Sequence, residues 1–357
     1  MQKKANKKTM KKFLDTSYME KFCKTHNIPK NINTINIIEA KHIPLLSSES
    51  YIVKYTCDVV FKGSDMETYL ILRGNRITKE AANMWKYMYE QSKKTNLHAV
   101  PIPLHYFEKE NFMLYREYSG DTLRDYAHDY EVLKKTSKEV AEKLAWWHTR
   151  PSRKHLHVRT EKMEKEYWVS VEKKIKKFLP KKYFSKKLSN DLNAIYTQQK
   201  SYNKTTKPTP THNDFQASNI LYDSKRKIVG IIDFGATTLF SPVNDVGTYM
   251  VHLAVMTNKY LTVEKTLELQ KNFLQHYLKN IPKKLKNKTK KELPLYQARA
   301  AADIVATTAV ALSHTNNPYR KIIPKMLIPI ISKKMDQDLT KTRPFNSLLV
   351  QLQPYHE

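Results

Sequence analysis

The sequence predicts an α+β chain in two lobes, with a small antiparallel β N-lobe and a larger helical C-lobe. Three observations predict it. Strand-like runs crowd between about residues 33 and 117, with Ile35 to Phe61 reading as two strands around a loop and Thr68 to Arg73 as a third. Helix-period apolar patterns dominate the stretch from 118 to 357. Inside that helical half sits one hairpin, in which Ile220 to Asp223 and Ile228 to Ile232 flank the polar turn Ser224 to Lys227. A length of 357 residues suffices for a sizeable core shared by two lobes of unequal size.

Composition narrows the class. Hydrophobic residues make up 40% and aromatics 11%, which describes a globular chain. No apolar run reaches the roughly 18 residues of a membrane span. The basic start, Met1 to Lys12, lacks the apolar stretch of a secretory signal. Cys23 and Cys57 form neither a metal spacing nor a disulfide framework, so a reducing cytoplasm is expected. The net charge of +29 raises nucleic acid, an anionic surface or an anionic substrate as partners. Lysines are spread along the whole chain and no RNA-binding motif appears, so a lysine-biased composition is the preferred account and nucleic acid the weaker one.

The elements follow in order. Residues 1–32 read as a basic extension with one amphipathic helix around Asp15 to His26. The loop Leu46 to Tyr51 carries Ser47, Ser48 and Ser50, whose hydroxyls and backbone N–H groups suit an anion. On the strand Thr68 to Arg73, alternation puts Tyr69, Ile71 and Arg73 on one face. Thr78 to Lys93 repeats Ala81, Met84, Trp85 and Met88 at helical spacing, with Glu80 in its first turn. Val100 to Pro103 and Phe112 to Gly120 read as strand and connecting segment, after which Asp121 or Thr122 caps the next helix. Thr136 to His148 is amphipathic through Val140, Leu144 and Trp147, and His148 reads as a core or capping residue. Arg150 to Lys207 is lysine-rich and helical, broken at Pro180, with Tyr167 and Trp168 read mainly as packing. Helices are expected over Val246 to Thr257, Leu261 to Asn280 and Arg299 to His314, the last with an Arg299–Asp303 pair. A basic loop is expected over Pro282 to Lys291, and further helices after Pro318.

The chemistry concentrates between Thr211 and Tyr249, where Asp214, Asn219, Asp233 and Asp245 fall at useful spacings. Folding the hairpin about its turn sets Asn219 across from Asp233. An amide oxygen and a carboxylate side by side are hard ligands suited to Mg²⁺. Asp214 lies on the loop leading in, where it can take a proton from a hydroxyl. This is the layout of a phosphoryl-transfer site, H-x-D-x-x-x-x-N followed by D-F-G. A surface hairpin with incidental acids would not be expected to reproduce both motifs at hairpin separation.

The stretch resembles the aminoglycoside phosphotransferase and choline kinase superfamily of small-molecule kinases. Those enzymes show H-G-D-x-x-x-x-N, with H-N-D common in the choline and ethanolamine branch, and then I-D-[FW]-[GE]. This chain has His212-Asn213-Asp214 and Ile232-Asp233-Phe234-Gly235, and Ser241 to Gly247 is similar to the family's D-P-x-x-D-L-A. The H-R-D and A-P-E motifs of protein kinases are absent. The resemblance implies a protein-kinase-like fold, ATP and Mg²⁺ as cofactors, and a small-molecule hydroxyl as acceptor. By it, Asp214 orients the acceptor, His212 braces the loop, Asn219 and Asp233 hold Mg²⁺, and Asp245 supports the loop from below. The serine loop (Ser47, Ser48, Ser50) covers the phosphates. Arg73 replaces the usual Lys on the phosphates and pairs with Glu80, and the segment around Glu117 and Tyr118 meets the adenine edge. The acceptor stays open among an amino alcohol, a sugar and an aminoglycoside. A protein or other macromolecular kinase is a second reading, and a nucleic-acid-binding or pseudokinase module without turnover a third.

Overall fold

The computed structural model describes residues 10–44, 51–95, 97, 100–151, 157–205, 207–311, 313 and 327–328. Ser47, Ser48, Ser50 and Pro318 lie outside them. The chain forms two compact bodies. The first comprises the chain up to Ser119 together with Gly230–Gly235, and the second comprises Gly120–Val229 and the chain from Ala236 onward.

The first body is built on a sheet. Among the described residues its strands are β1 (Ile32–Pro44), β2 (Tyr51–Phe61), β3 (Glu67–Arg76), β4 (Pro103–Phe107) and β5 (Phe112–Arg116), in the order β1-β2-β3-β5-β4. Every neighbouring pair is antiparallel. Val53, Tyr55, Cys57 and Val59 alternate along β2 and are all buried, the period-two pattern of a strand with one face covered. Helix α1 (Thr16–His26) covers that face: Asp15 caps it by accepting the Tyr18 N–H at 3.0 Å. Phe13, Met19 and Cys23 join the sheet's core, with Phe13 stacked on Phe112 at 3.9 Å. From Phe13 onward the basic extension therefore contributes to the first body's core, because its apolar residues recur at helical spacing beneath the charge. Helix α2 (Lys79–Lys94), capped by Thr78, buries Ala81, Met84, Trp85 and Met88.

The second body is helical. Its helices are α3 (Tyr130–His148), α4 (Glu161–Phe178), α5 (Lys186–Thr205), α6 (Val243–Thr257), α7 (Val263–Lys279) and α8 (Lys283–Ala311). Their core gathers Trp168, Val171 and Ile175 from α4, Leu188, Leu192 and Ile195 from α5, and Ala298, Ala301, Ala302 and Val305 from α8. The small side chains let helices approach closely. At Gly247 on α6 an added Cβ would stand 2.8 Å from the Tyr296 carbonyl carbon of α8.

Short strands thread between the helices. β7 (Thr209–Thr211) pairs with β10 (Thr238–Phe240), and β6 (Asp121–Thr122), β8 (Ile220–Asp223) and β9 (Ile228–Ile231) form a small sheet in the order β6-β8-β9. The expected hairpin is β8–β9. Asp223 shapes its turn by accepting the Lys225 and Arg226 N–H groups at 3.0 and 2.9 Å. Gly120 precedes β6 at φ +117, where a Cβ would stand 2.5 Å from the Tyr222 carbonyl oxygen.

Two expectations are corrected here. Asp121 and Thr122 do not cap a helix but pair with Tyr222 and Leu221 as β6, and Asp129 caps α3 by accepting the Val132 N–H at 3.0 Å. Of the expected basic loop Pro282 to Lys291, Lys283 onward is the start of α8. Lys288 bonds Glu292 one turn on at 2.9 Å and Thr289 is buried, so the lysines are the outer face of a continuous helix that carries Pro294 inside it. No helix among the described residues is long and apolar enough to cross a membrane.

Burial pushes the thiols of Cys23 and Cys57 up to about 12. Alkylation at about pH 8 is therefore expected on the order of a thousandfold slower in the native chain than in denaturant, and intact-mass analysis of adducts checks it. His252 on α6 is pushed down to about 4 by burial and then by Arg124. The unfolded histidine binds its proton below about 6.5, so the native state binds fewer protons between 6.5 and 4. Stability present above that window is lost as pH falls through it. The drop in denaturant midpoint from about pH 7.5 to about pH 5 is expected to be smaller in His252→Gln than in the parent chain.

Candidate active site

In the second body, β7 ends at Thr211 and delivers the loop His212–Asn219. The Asp245 carboxylate, buried in the first turn of α6, accepts the N–H groups of His212 and Asn213 at 2.7 Å each. His148 donates its Nε2–H to the same carboxylate at 3.0 Å, while its Nδ1 accepts from the Tyr277 hydroxyl at 2.8 Å. His148 is thus a buried brace.

His212 is buried against Trp147 and Phe215, and its Nδ1 accepts the Asp214 N–H at 3.3 Å. Asn213 holds a left-handed backbone at φ 64, a region that glycine and asparagine tolerate. Its Nδ2 reaches the Thr211 carbonyl at 3.3 Å, the Ala236 carbonyl at 3.0 Å and the Thr238 hydroxyl at 2.8 Å. The side chain therefore ties the loop to the segment entering β10, which a glycine in H-G-D leaves undone.

The half-buried Asp214 has both carboxylate oxygens held: Oδ1 by Gln216 Nε2 and Oδ2 by Asn219 Nδ2, each at 2.8 Å. Asn219 Nδ2 also donates to the Asp214 carbonyl at 2.8 Å. With its NH₂ spent on Asp214, Asn219 keeps its carbonyl oxygen for other work.

The first body carries the other candidates. Asp233 is exposed, at φ 61, and its Oδ1 accepts the Gly235 N–H at 3.4 Å. Phe234 is fully buried and packs on Trp85 at 5.0 Å, while Trp85 donates to the Pro101 carbonyl at 3.0 Å. Arg73 gives its guanidinium to Glu117, not to the expected Glu80. Register explains the choice: Arg73 faces Tyr115 across β3 and β5, and Glu117, two residues on, shares that face. Glu80 is exposed in the first turn of α2. The Arg116 and Glu117 N–H groups reach the Ile102 and Ile71 carbonyls at 3.0 and 2.9 Å. The Tyr118 ring lies so close to Gly230 that a Cβ there would stand 2.3 Å from it.

Sequence reading overlooked Tyr115. Burial pushes its phenol up; Arg73 opposes the shift, and Asp233 and Glu117 add to it. It gave no site role to Gln216, Asn244 or Arg299, polar residues whose roles show only once their partners are adjacent. Arg299 bonds Glu164, Gln199 and Asn244 instead of the expected Asp303.

The antiparallel sheet and the helical body are those of the protein-kinase-like fold of small-molecule kinases. A family model described as choline/ethanolamine kinase matches residues 118–317, more than half of the chain. The chain belongs to the choline/ethanolamine kinase family and is a small-molecule kinase. The Plasmodium vivax ethanolamine kinase structure is similar at TM-score 0.58 and 15% identity, covering 92% of this chain and 95% of that one. The choline kinase of Cryptosporidium parvum is similar at TM-score 0.58 and 15% identity, covering 94% and 100%. An amicoumacin kinase in complex with AMP-PNP, Ca²⁺ and Ami is similar at TM-score 0.58 and 12% identity, covering 97% and 99%. At these identities the likeness is one of fold. Comparison with curated protein sequences finds no significant match.

The bonds of Asn213 lead to a measurable contrast. Asn213→Gly keeps the backbone conformation and loses the ties, so a loss of about 1 kcal/mol is expected. Asn213→Ala adds left-handed strain, for a total of about 2–3 kcal/mol. Denaturant unfolding of the two variants beside the parent chain checks the order.

Proposed function

We propose that this kinase transfers the γ-phosphate of ATP, with Mg²⁺, to the hydroxyl of an amino alcohol, and that Asp214 is the base. The observation that carries the reading is the clamp of Asn219 and Gln216 on the Asp214 carboxylate. Both oxygens of that carboxyl group are met by side-chain amides, on a loop whose backbone Asp245 grips. Such a group takes the proton of an alcohol as its oxygen attacks phosphorus. His212 braces this loop from its buried position.

Each of the two proposed ligands has the oxygen chemistry that Mg²⁺ prefers. Asn219 offers an amide oxygen because its NH₂ is engaged, and Asp233 offers an exposed carboxylate. Mg²⁺ is commonly bound by one or two protein groups together with phosphates and water. When bound, the metal neutralises triphosphate charge. Arg73, paired with Glu117, would hold phosphate oxygens. Tyr118, after the last sheet bond made by the Glu117 N–H, would with Glu117 meet the adenine edge. The nucleotide and divalent ion in the amicoumacin kinase complex support ATP and a metal as partners here.

Family membership favours an amino alcohol over a sugar or an aminoglycoside. The buried, unpaired Cys23 and Cys57 support a reducing cytoplasm as the setting.

A pool of small metabolites is incubated with ATP and Mg²⁺, and mass spectrometry reads the gain of one phosphate. An amino alcohol is expected to gain it. Asp214→Ala is expected to lower kcat by about 10²–10⁴ while nucleotide affinity stays near that of the parent chain. Asp233→Ala is expected to remove Mg-dependent nucleotide binding. Parent-like turnover by Asp214→Ala would refute the assignment.

A further inference from the structure

A buried polar chain in the second body ends on the residue before Asp214. Arg299, on α8, donates Nη1 to Glu164 Oε2 at 3.0 Å and to Gln199 Oε1 at 3.2 Å, and Nη2 to Glu164 Oε1 at 3.4 Å. Its Nε donates to Asn244 Oδ1 at 2.9 Å. Asn244 then donates its Nδ2 to Asn213 Oδ1 at 3.3 Å. Glu164 lies on α4 and also takes Arg159, Gln199 lies on α5, and the Arg299 guanidinium lies 4.0 Å from the centre of the Tyr167 ring. Glu164, Gln199, Asn244 and Arg299 are all buried.

We propose that Asn244 and Arg299 are positioning residues for the acceptor-facing carboxylate, holding Asn213, and through it Asp214, in register with α4, α5 and α8. The proposal rests on the reading of Asp214 as the base. Adjacent residues of α6 hold different parts of the loop, Asp245 its backbone and Asn244 its side chain. The orientation of Asn244 is dictated. Its oxygen is drawn by a guanidinium that cannot lose its proton, so its NH₂ must face the loop. Asn213 Nδ2 already serves three acceptors, which leaves its oxygen toward Asn244. A buried ion pair adds little to stability beside an apolar substitute. What it supplies here is direction, and misplacement of a reacting group by about 1 Å lowers rate on the order of a hundredfold.

Two variants separate positioning from packing. Asn244→Leu removes both bonds at similar volume. Asn244→Asp keeps an acceptor for Arg299 but turns an oxygen, not an N–H, toward Asn213. Turnover is read with choline and with ethanolamine as probes, beside the unfolding midpoint and hydrogen exchange of the amides in 212–219. Both variants are expected to lower kcat about tenfold or more with nucleotide KM unchanged, Asn244→Asp doing so at a parent-like midpoint, and exchange in the loop is expected to quicken in Asn244→Leu. Parent-like kcat in either variant, or unaltered loop exchange in Asn244→Leu, overturns the proposal. If the parent chain turns over neither probe, the amino-alcohol reading fails by itself, and the exchange measurement still decides whether Asn244 holds the loop.

Discussion

One carboxylate organises the His212–Asn219 loop of this kinase. Asp245 is wholly buried and meets two backbone N–H groups and an imidazole N–H. A buried charge without such partners would be prohibitive, and charge-assisted bonds are about twice as strong as neutral ones. The arrangement makes α6 and the loop one mechanical unit. α6 is itself pressed against α8 at Gly247, so the loop is tied through Asp245 to the helical core. His148 and Tyr277 extend the grip to α3 and α7.

Strain marks the same places. Asn213 and Asp233 both hold left-handed backbones, and each is asparagine or aspartate, the residues whose short polar side chains bond locally and ease that region. Asn213 uses its amide to tie three acceptors, and Asp233 accepts from Gly235. In the first body, Phe234 is anchored on Trp85 and Trp85 on Pro101, so the side chain after Asp233 is set by the core of α2 and not by the loop itself.

The legible parts of the chain were those whose signal is local. The β8–β9 hairpin was readable because β-branched runs flank a polar turn, and α2 because its apolar residues recur at helical spacing under a threonine cap. Misreadings arose where charge masked periodicity. The lysines of α8 resembled a loop until Thr289 and Glu292 proved buried on its other side. Asp121 looked like a cap because a two-residue strand has no period to detect, and only the presence of β8 beside it makes it one. Glu80 was the nearer carboxylate along the chain, yet strand register hands Arg73 to Glu117.

By itself the sequence determined the chemistry on offer: an H-N-D-x-x-x-x-N loop, a D-F-G turn and a following aspartate, at spacings that a hairpin and a helix start impose. Those groups are close along the chain, so short-range geometry suffices to order them. Which groups hold them was decided only in three dimensions. His148, Gln199 and Arg299 act from helices distant in sequence, and a polar residue carries no mark of its partner until burial removes water and obliges it to find one.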